Sequence, residues 1–99
     1  MSINITYKFS APVWQHPSPG GWYFVSLPNE LSQEIQGYFG WQEEGWGRLK
    51  AKVKIKETSW DTAIWYDTKL GTYILPLKVD IRKKEKIKIG DIFEIEIIL

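Results

Sequence analysis

The 99-residue chain has no cysteine. That excludes disulfides, a thiolate nucleophile and cysteine-bound zinc, and it fits a reducing compartment, so a cytoplasmic location is the expectation. Histidine occurs once, at His16, between prolines. A positioned general base and a transition-metal ligand set are both missing, and neither a metal nor a cofactor is expected. A charge excess is lacking too: 13 basic residues against 12 acidic ones leave a formal net charge of +1. A general electrostatic grip on nucleic acid needs an excess or a strong local cluster. Apolar runs extend only a few residues. That is far short of the ~20 that span a bilayer as a helix, so no membrane partner is expected. No basic-then-apolar leader opens the sequence, which predicts no secretory signal.

Aromatic residues are plentiful: six Trp, five Tyr and four Phe. Such side chains bury large areas and hold small cores together, but they also line pockets. The length suits one domain over residues 1–99, burying roughly 60–65% of its unfolded surface without staples.

Most segments alternate with a period of two. Residues 3–9 read as a strand with Ile3, Ile5, Tyr7 and Phe9 on one face. The proline- and glycine-rich residues 12–21 read as a loop, and 22–28 as a second strand ended by Pro28. Residues 29–40 are the helix candidate. Leu31, Ile35 and Phe39 share a face there, Ser32, Gln33 and Gln36 turn to water, and Asn29 serves as N-cap. Residues 41–47 read as a loop. Residues 48–57 form the clearest strand, with Leu49, Ala51, Val53 and Ile55 inward and Lys50, Lys52, Lys54 and Lys56 outward. Further strands are predicted over 59–66, 72–81 and 92–99. Pro76 marks a strand end, an edge or a bulge in the second of these. Residues 82–91 are a connection or one turn of helix, with Asp91 fixing the turn. Taken together, the pattern predicts a mainly β fold: a small closed or double-split barrel of about six strands with one short α-helix, monomeric. A weak internal repeat relates 23–35 to 73–84, each leading into an alternating strand. If those two strands pair, lysines face Glu94 and Glu96.

Few residues suggest chemistry. Adjacent Glu43 and Glu44 read first as solvated loop carboxylates. Asp61, in a strand beside Trp60, would need a partner if it pointed inward. No phosphate loop is present. The lysine ladder is first of all a solvated strand face that discourages edge pairing. The second basic cluster, Arg82, Lys83, Lys84, Lys86 and Lys88, is diluted by Asp80 and Glu85.

The segments "WYFVSLP" (22–28), "GRLKAKVKI" (47–55), "SWDTAIWYD" (59–67) and "YILPLKVDIRKKEKIKIGD" (73–91), with the closing "FEIEI", resemble the bacterial family known as domain of unknown function 1905. The resemblance implies a small closed β-barrel with a helix across it, and no established activity. Thr62-Ala63 stands where the family tends to a small hydroxylic pair, and Ile81 where valine is usual. A more distant similarity is to the half-barrels of AbrB-type swapped-hairpin regulators, which build a barrel from two chains. Fold-level likeness carries no function across.

The leading expectation is a non-enzymatic binding module for a small anionic or planar ligand. Its site residues would be Trp60, Lys78 and Arg82, with Arg48 in addition. An indole, an ammonium and a planar guanidinium together suit such a ligand. The alternative is nucleic-acid or regulatory binding through the Lys50–Lys56 strand face, a reading that ranks lower. An enzyme ranks third and would rest on Asp61 or Glu44 in an enclosed pocket.

Overall fold

A computed structural model of the protein describes residues 4–99. The period-two segments become six strands: β1 (Thr6–Gln15), β2 (Tyr23–Ser26), β3 (Arg48–Ile55), β4 (Thr58–Asp67), β5 (Thr72–Leu77) and β6 (Ile92–Ile98). Helix α1 (Asn29–Phe39) links β2 to β3, and α2 (Val79–Lys84) links β5 to β6. All neighbours are antiparallel, and the strands close into a barrel in the order β1-β2-β5-β4-β3-β6. The mainly β, closed, six-stranded expectation is therefore met.

β1 is longer than its sequence predicts. The alternation continues past Phe9 through Val13, so Pro12 lies inside a strand rather than opening a loop. Ile3, assigned to this strand by its spacing, lies outside the described residues. β1 pairs with β6 from Thr6 to Pro12 and with β2 from Val13 to Gln15. The Val13 amide donates to the Asp91 carbonyl at 3.0 Å, on the β6 side. The Pro12 nitrogen therefore points the other way, where pairing with β2 has not begun, and its missing N–H leaves no ladder bond unmade. Pro76 is accommodated similarly. It faces Phe24 on β2 but lies beyond Thr72–Ile74, the stretch of β5 that pairs with β4.

The inward rows meet in one core. Val53, Ile55, Ile64, Leu75, Ile95 and Ile97 are fully buried. Each such side chain contributes roughly 1.5–3 kcal/mol of transfer free energy. The three lysines of β3, Lys50, Lys52 and Lys54, all face out, and Lys56, expected to continue the row, lies in the turn after the strand. β3 pairs with β6, and Lys54 lies opposite Glu96, whereas Glu94 lies opposite Ser10 of β1. The Glu96 carboxylate also lies 3.5 Å from Lys8 of β1, an exposed and weak pair.

Helix α1 covers one end of the barrel. Ile35 is buried, and Leu31 and Phe39 pack against the core. Two expectations for this helix fail. Pro28 occupies the N-cap position, its carbonyl accepting the Ser32 amide at 2.9 Å, and no side chain caps the helix. Ser32, expected in water, is completely buried. Its hydroxyl accepts the Tyr73 amide at 3.0 Å, giving β5 a partner on the side where β2 has ended. A hydroxyl on the inner face can satisfy a backbone donor that an apolar side chain would strand.

The connection 40–47 contains two 3-10 turns, Gly40–Gln42 and Gly45–Gly47. Trp46 stands between two glycines at φ +68°, with 94% of its surface exposed. No helix among the described residues is long and apolar enough to cross a membrane.

A bulky residue in the left-handed region costs about 1 kcal/mol, and asparagine tolerates it better. Trp46 is too exposed to offset that cost by burial. Trp46→Asn is expected to raise unfolding stability by about 0.5–1 kcal/mol, read from urea denaturation midpoints.

Candidate functional site

The end of the barrel opposite α1 is where β1 and β5 finish and β2 begins. A groove of about 250 Å³ opens there between the 20–23 segment and the 77–82 segment. Each wall has a local cause. The loop before β2 is tied down by backbone bonds, His16 N–H to the Trp22 carbonyl at 2.9 Å and Gly21 N–H to the Ser18 carbonyl at 2.8 Å. The Gln15 amide side chain adds a bond to the Gly21 carbonyl at 3.0 Å. Gly21 is required by space: a Cβ there would sit 2.1 Å from the His16 carbonyl oxygen.

The opposite wall is the end of β5 and the start of α2. Strand pairing stops at Leu77, Lys78 is extended, and the chain turns into helix at Val79. The Arg82 amide donates to the Lys78 carbonyl at 3.0 Å. This single turn brings the Lys78 and Arg82 side chains to the same groove. Ile81 and Ile87 anchor the segment on the core, and Glu85 accepts the Thr58 hydroxyl of β4.

Arg82 is held on two sides. Its guanidinium carbon lies 3.8 Å from the Tyr23 ring centroid, and its Nε donates to the Leu77 carbonyl at 3.1 Å. No carboxylate pairs with it among the described residues. Its terminal nitrogens are therefore oriented without being neutralised, which is the arrangement that grips a two-oxygen anion. Lys78 is exposed and likewise forms no ion pair among the described residues. Trp22, 63% exposed, supplies an indole to the same groove.

Of the four residues expected from sequence, Lys78 and Arg82 are brought together; Trp60 and Arg48 stand elsewhere. Trp60 shares the inward face of Val53 and packs against the core, its indole N–H enclosed without a partner among the described residues. Arg48 begins β3 at the α1 end. It is paired with Glu44, and its guanidinium lies 5.7 Å from the Trp65 ring centroid. The tryptophan that joins the cations is Trp22, which sequence reasoning missed. Its place beside "PGG" was the available signal, since a rigid turn ahead of a strand presents the first side chain outward.

The carboxylates raised as enzymatic candidates have other surroundings. Asp61 is exposed and lies opposite Lys52 across β3 and β4. Glu44 belongs to the Arg48 pair, and Lys50 lies 3.9 Å away. Glu43 is half-buried rather than solvated, because it accepts the hydroxyl of the buried Tyr73. Burial first, then that hydrogen bond and the Glu43 charge, hold the Tyr73 phenol far above its usual range. The Tyr7 phenol is also raised, by burial and then by Glu34 and Tyr38. Among the described residues no three side chains gather as metal ligands would.

Fold and groove together define a small closed-barrel protein with a cationic, indole-flanked groove at one rim. The chain belongs to the family described as "Domain of unknown function (DUF1905)", whose model matches residues 9–97, nearly its whole length. The comparison with curated proteins gives no match.

Two outcomes follow from these contacts. Gly21→Ala is expected to destabilise the protein by about 1–3 kcal/mol, because backbone must move to admit the methyl; thermal denaturation measures it. A phenol whose folded pKa is raised gives stability that is complete below the ordinary tyrosine value near 10 and is lost as pH rises through the folded value. Spectrophotometric titration of the folded protein should therefore leave Tyr73 un-ionised well above pH 10. Tyr73→Phe should remove the last-titrating phenol.

Proposed function

We propose that the protein is a binding module for a small anionic ligand, seated in the rim groove between Trp22 and Arg82. The observation that carries this reading is the state of Arg82: fixed by the Tyr23 ring and the Leu77 carbonyl, yet without a carboxylate partner among the described residues. A surface arginine without a task gains nothing from being ordered, since ordering a long side chain costs up to ~2 kcal/mol of rotamer entropy. Once ordered, that entropy no longer opposes ligand binding. Lys78 adds a second charge, and Trp22 a planar face for the rest of the ligand.

The lysine face of β3 is the lesser reading. Lys50, Lys52 and Lys54 are exposed, as a polyanion site requires. Acidic neighbours interrupt the row, however. Asp61 stands opposite Lys52, Glu96 stands opposite Lys54, and Glu44 approaches Lys50. Such interleaving weakens the field that would attract a phosphate backbone.

Isothermal titration with benzoate and with inorganic phosphate tests the proposal. Binding should be weakened at least tenfold by Arg82→Lys, which keeps the charge but loses the planar fork, and severalfold by Lys78→Ala. Melting temperature should move little for Lys78→Ala, because that side chain is exposed. Equal affinity in wild type and Arg82→Lys overturns the assignment. So does binding that is lost on Lys52→Ala instead.

A further inference from the structure

The rim groove shares a wall with a second groove of a different character. On the outer face of the barrel, Trp22, Phe24, Trp65, Ile74 and Pro76 line a trough of about 260 Å³ with no charged or hydrogen-bonding side chain save the two indoles. Strand register builds it. Phe24 faces Pro76 across β2 and β5, and Trp65 faces Ile74 across β4 and β5. Trp14 lies against Phe24 with ring centroids 5.0 Å apart and widens the apolar surface. Outer strand faces of a barrel ordinarily meet water, and a continuous aromatic row there marks a contact surface. Trp22 lines both grooves, so one indole joins a cationic end to an apolar trough.

Resting on the reading above, and deepening it, we infer that the ligand is a small amphipathic carboxylate. Its two oxygens meet the terminal nitrogens of Arg82, with Lys78 beside them. Its aliphatic or aryl body crosses Trp22 and lies between Pro76 and Trp65. The chemistry of the walls selects this class. A peptide laid in the trough would bury backbone amides against side chains that cannot satisfy them. A polynucleotide would bring repeating phosphates to a trough whose lining holds no cation, and the neighbouring Arg48 is already paired with Glu44. A wholly apolar molecule would leave Arg82 and Lys78 unanswered. Only an anion with one charged end and an apolar remainder matches both grooves at once.

The consequence is a dependence of affinity on chain length. A fully buried methylene tightens binding about fourfold; in an open trough roughly twofold per methylene is expected. Calorimetric titration of the wild-type protein with butyrate, hexanoate and octanoate measures this without any variant, and 1-octanol serves as the uncharged control. The expected result is a steady gain from butyrate to octanoate, totalling at least tenfold, with 1-octanol at least tenfold weaker than octanoate. Each indole N–H gives its own proton–nitrogen NMR signal. Octanoate should shift those of Trp22 and Trp65 and leave those of the exposed Trp41 and Trp46 in place. Trp65→Ala should flatten the chain-length gain, so that octanoate binds little tighter than butyrate. If octanoate binds no tighter than butyrate, the inference is overturned, while an Arg82-dependent affinity for butyrate keeps the anion site. If 1-octanol binds as well as octanoate, or if shifts fall on Trp41 and Trp46, both readings are overturned. Absence of binding by every member overturns both as well.

Discussion

The structure depends on the last strand finding two partners. β6 pairs with β1 on one side and with β3 on the other, and that double pairing turns a sheet of six strands into a tube. An open sheet of this length would leave two rows of unpaired amides and carbonyls, each a template for another chain. Closure removes both, and it forces the inward rows of all six strands onto one another. The joint is reinforced at its limit, where Ile5 and Leu99 exchange backbone bonds of 2.9 and 3.0 Å. The barrel also needs β1 to serve two neighbours in succession, and Pro12 stands where that change of partner occurs.

Closure decides where function can reside. A filled barrel has no interior to offer, so grooves can form only at its rims and on its outer wall. One rim is sealed by α1, with Ser32 and Glu43 meeting the buried Tyr73. The other carries α2, too short to cover the whole rim, and the groove is the part left open. Its rigidity comes from the loop ahead of β2, where Gly21 fits a space that admits no side chain. Membership of the family says nothing about activity, because its description names none. The functional reading therefore stands on the side chains alone: an ordered, unpaired guanidinium, a nearby ammonium, and an indole facing two grooves.

Much of the fold was legible because it follows from side-chain period. The alternation of Leu49, Ala51, Val53 and Ile55 with Lys50, Lys52 and Lys54 matches the burial of β3 residue by residue. The Leu31, Ile35 and Phe39 spacing marks the buried side of α1. Errors arose where a residue's usual preference was overridden by a partner distant in sequence. Ser32 is polar and was placed in water, but the amide of Tyr73, 41 residues away, draws it inside. Pro12 was read as a breaker, but the gap between two pairing partners tolerates it. Glu43 was read as solvated, but the Tyr73 hydroxyl claims it. At the candidate site, Lys78 and Arg82 were named for their charge alone; the helical turn that brings them together replaces a strand expected to run through residue 81. Trp22 was not, because it reaches them only through the pairing of β2 with β5.

By itself the sequence determined which faces are apolar, where the tight turns ahead of β5 and β6 fall, and that no thiol chemistry is available. These are local properties, set by period, by proline and glycine, and by composition. Tertiary structure alone decided which aromatic residues fill the core and which are left outside. Trp60 and Trp22 are the same residue type, each near the start of a strand; strand register sends the first inward against Val53 and leaves the second at the rim beside Arg82. Register is a relation between segments, and no segment carries it alone.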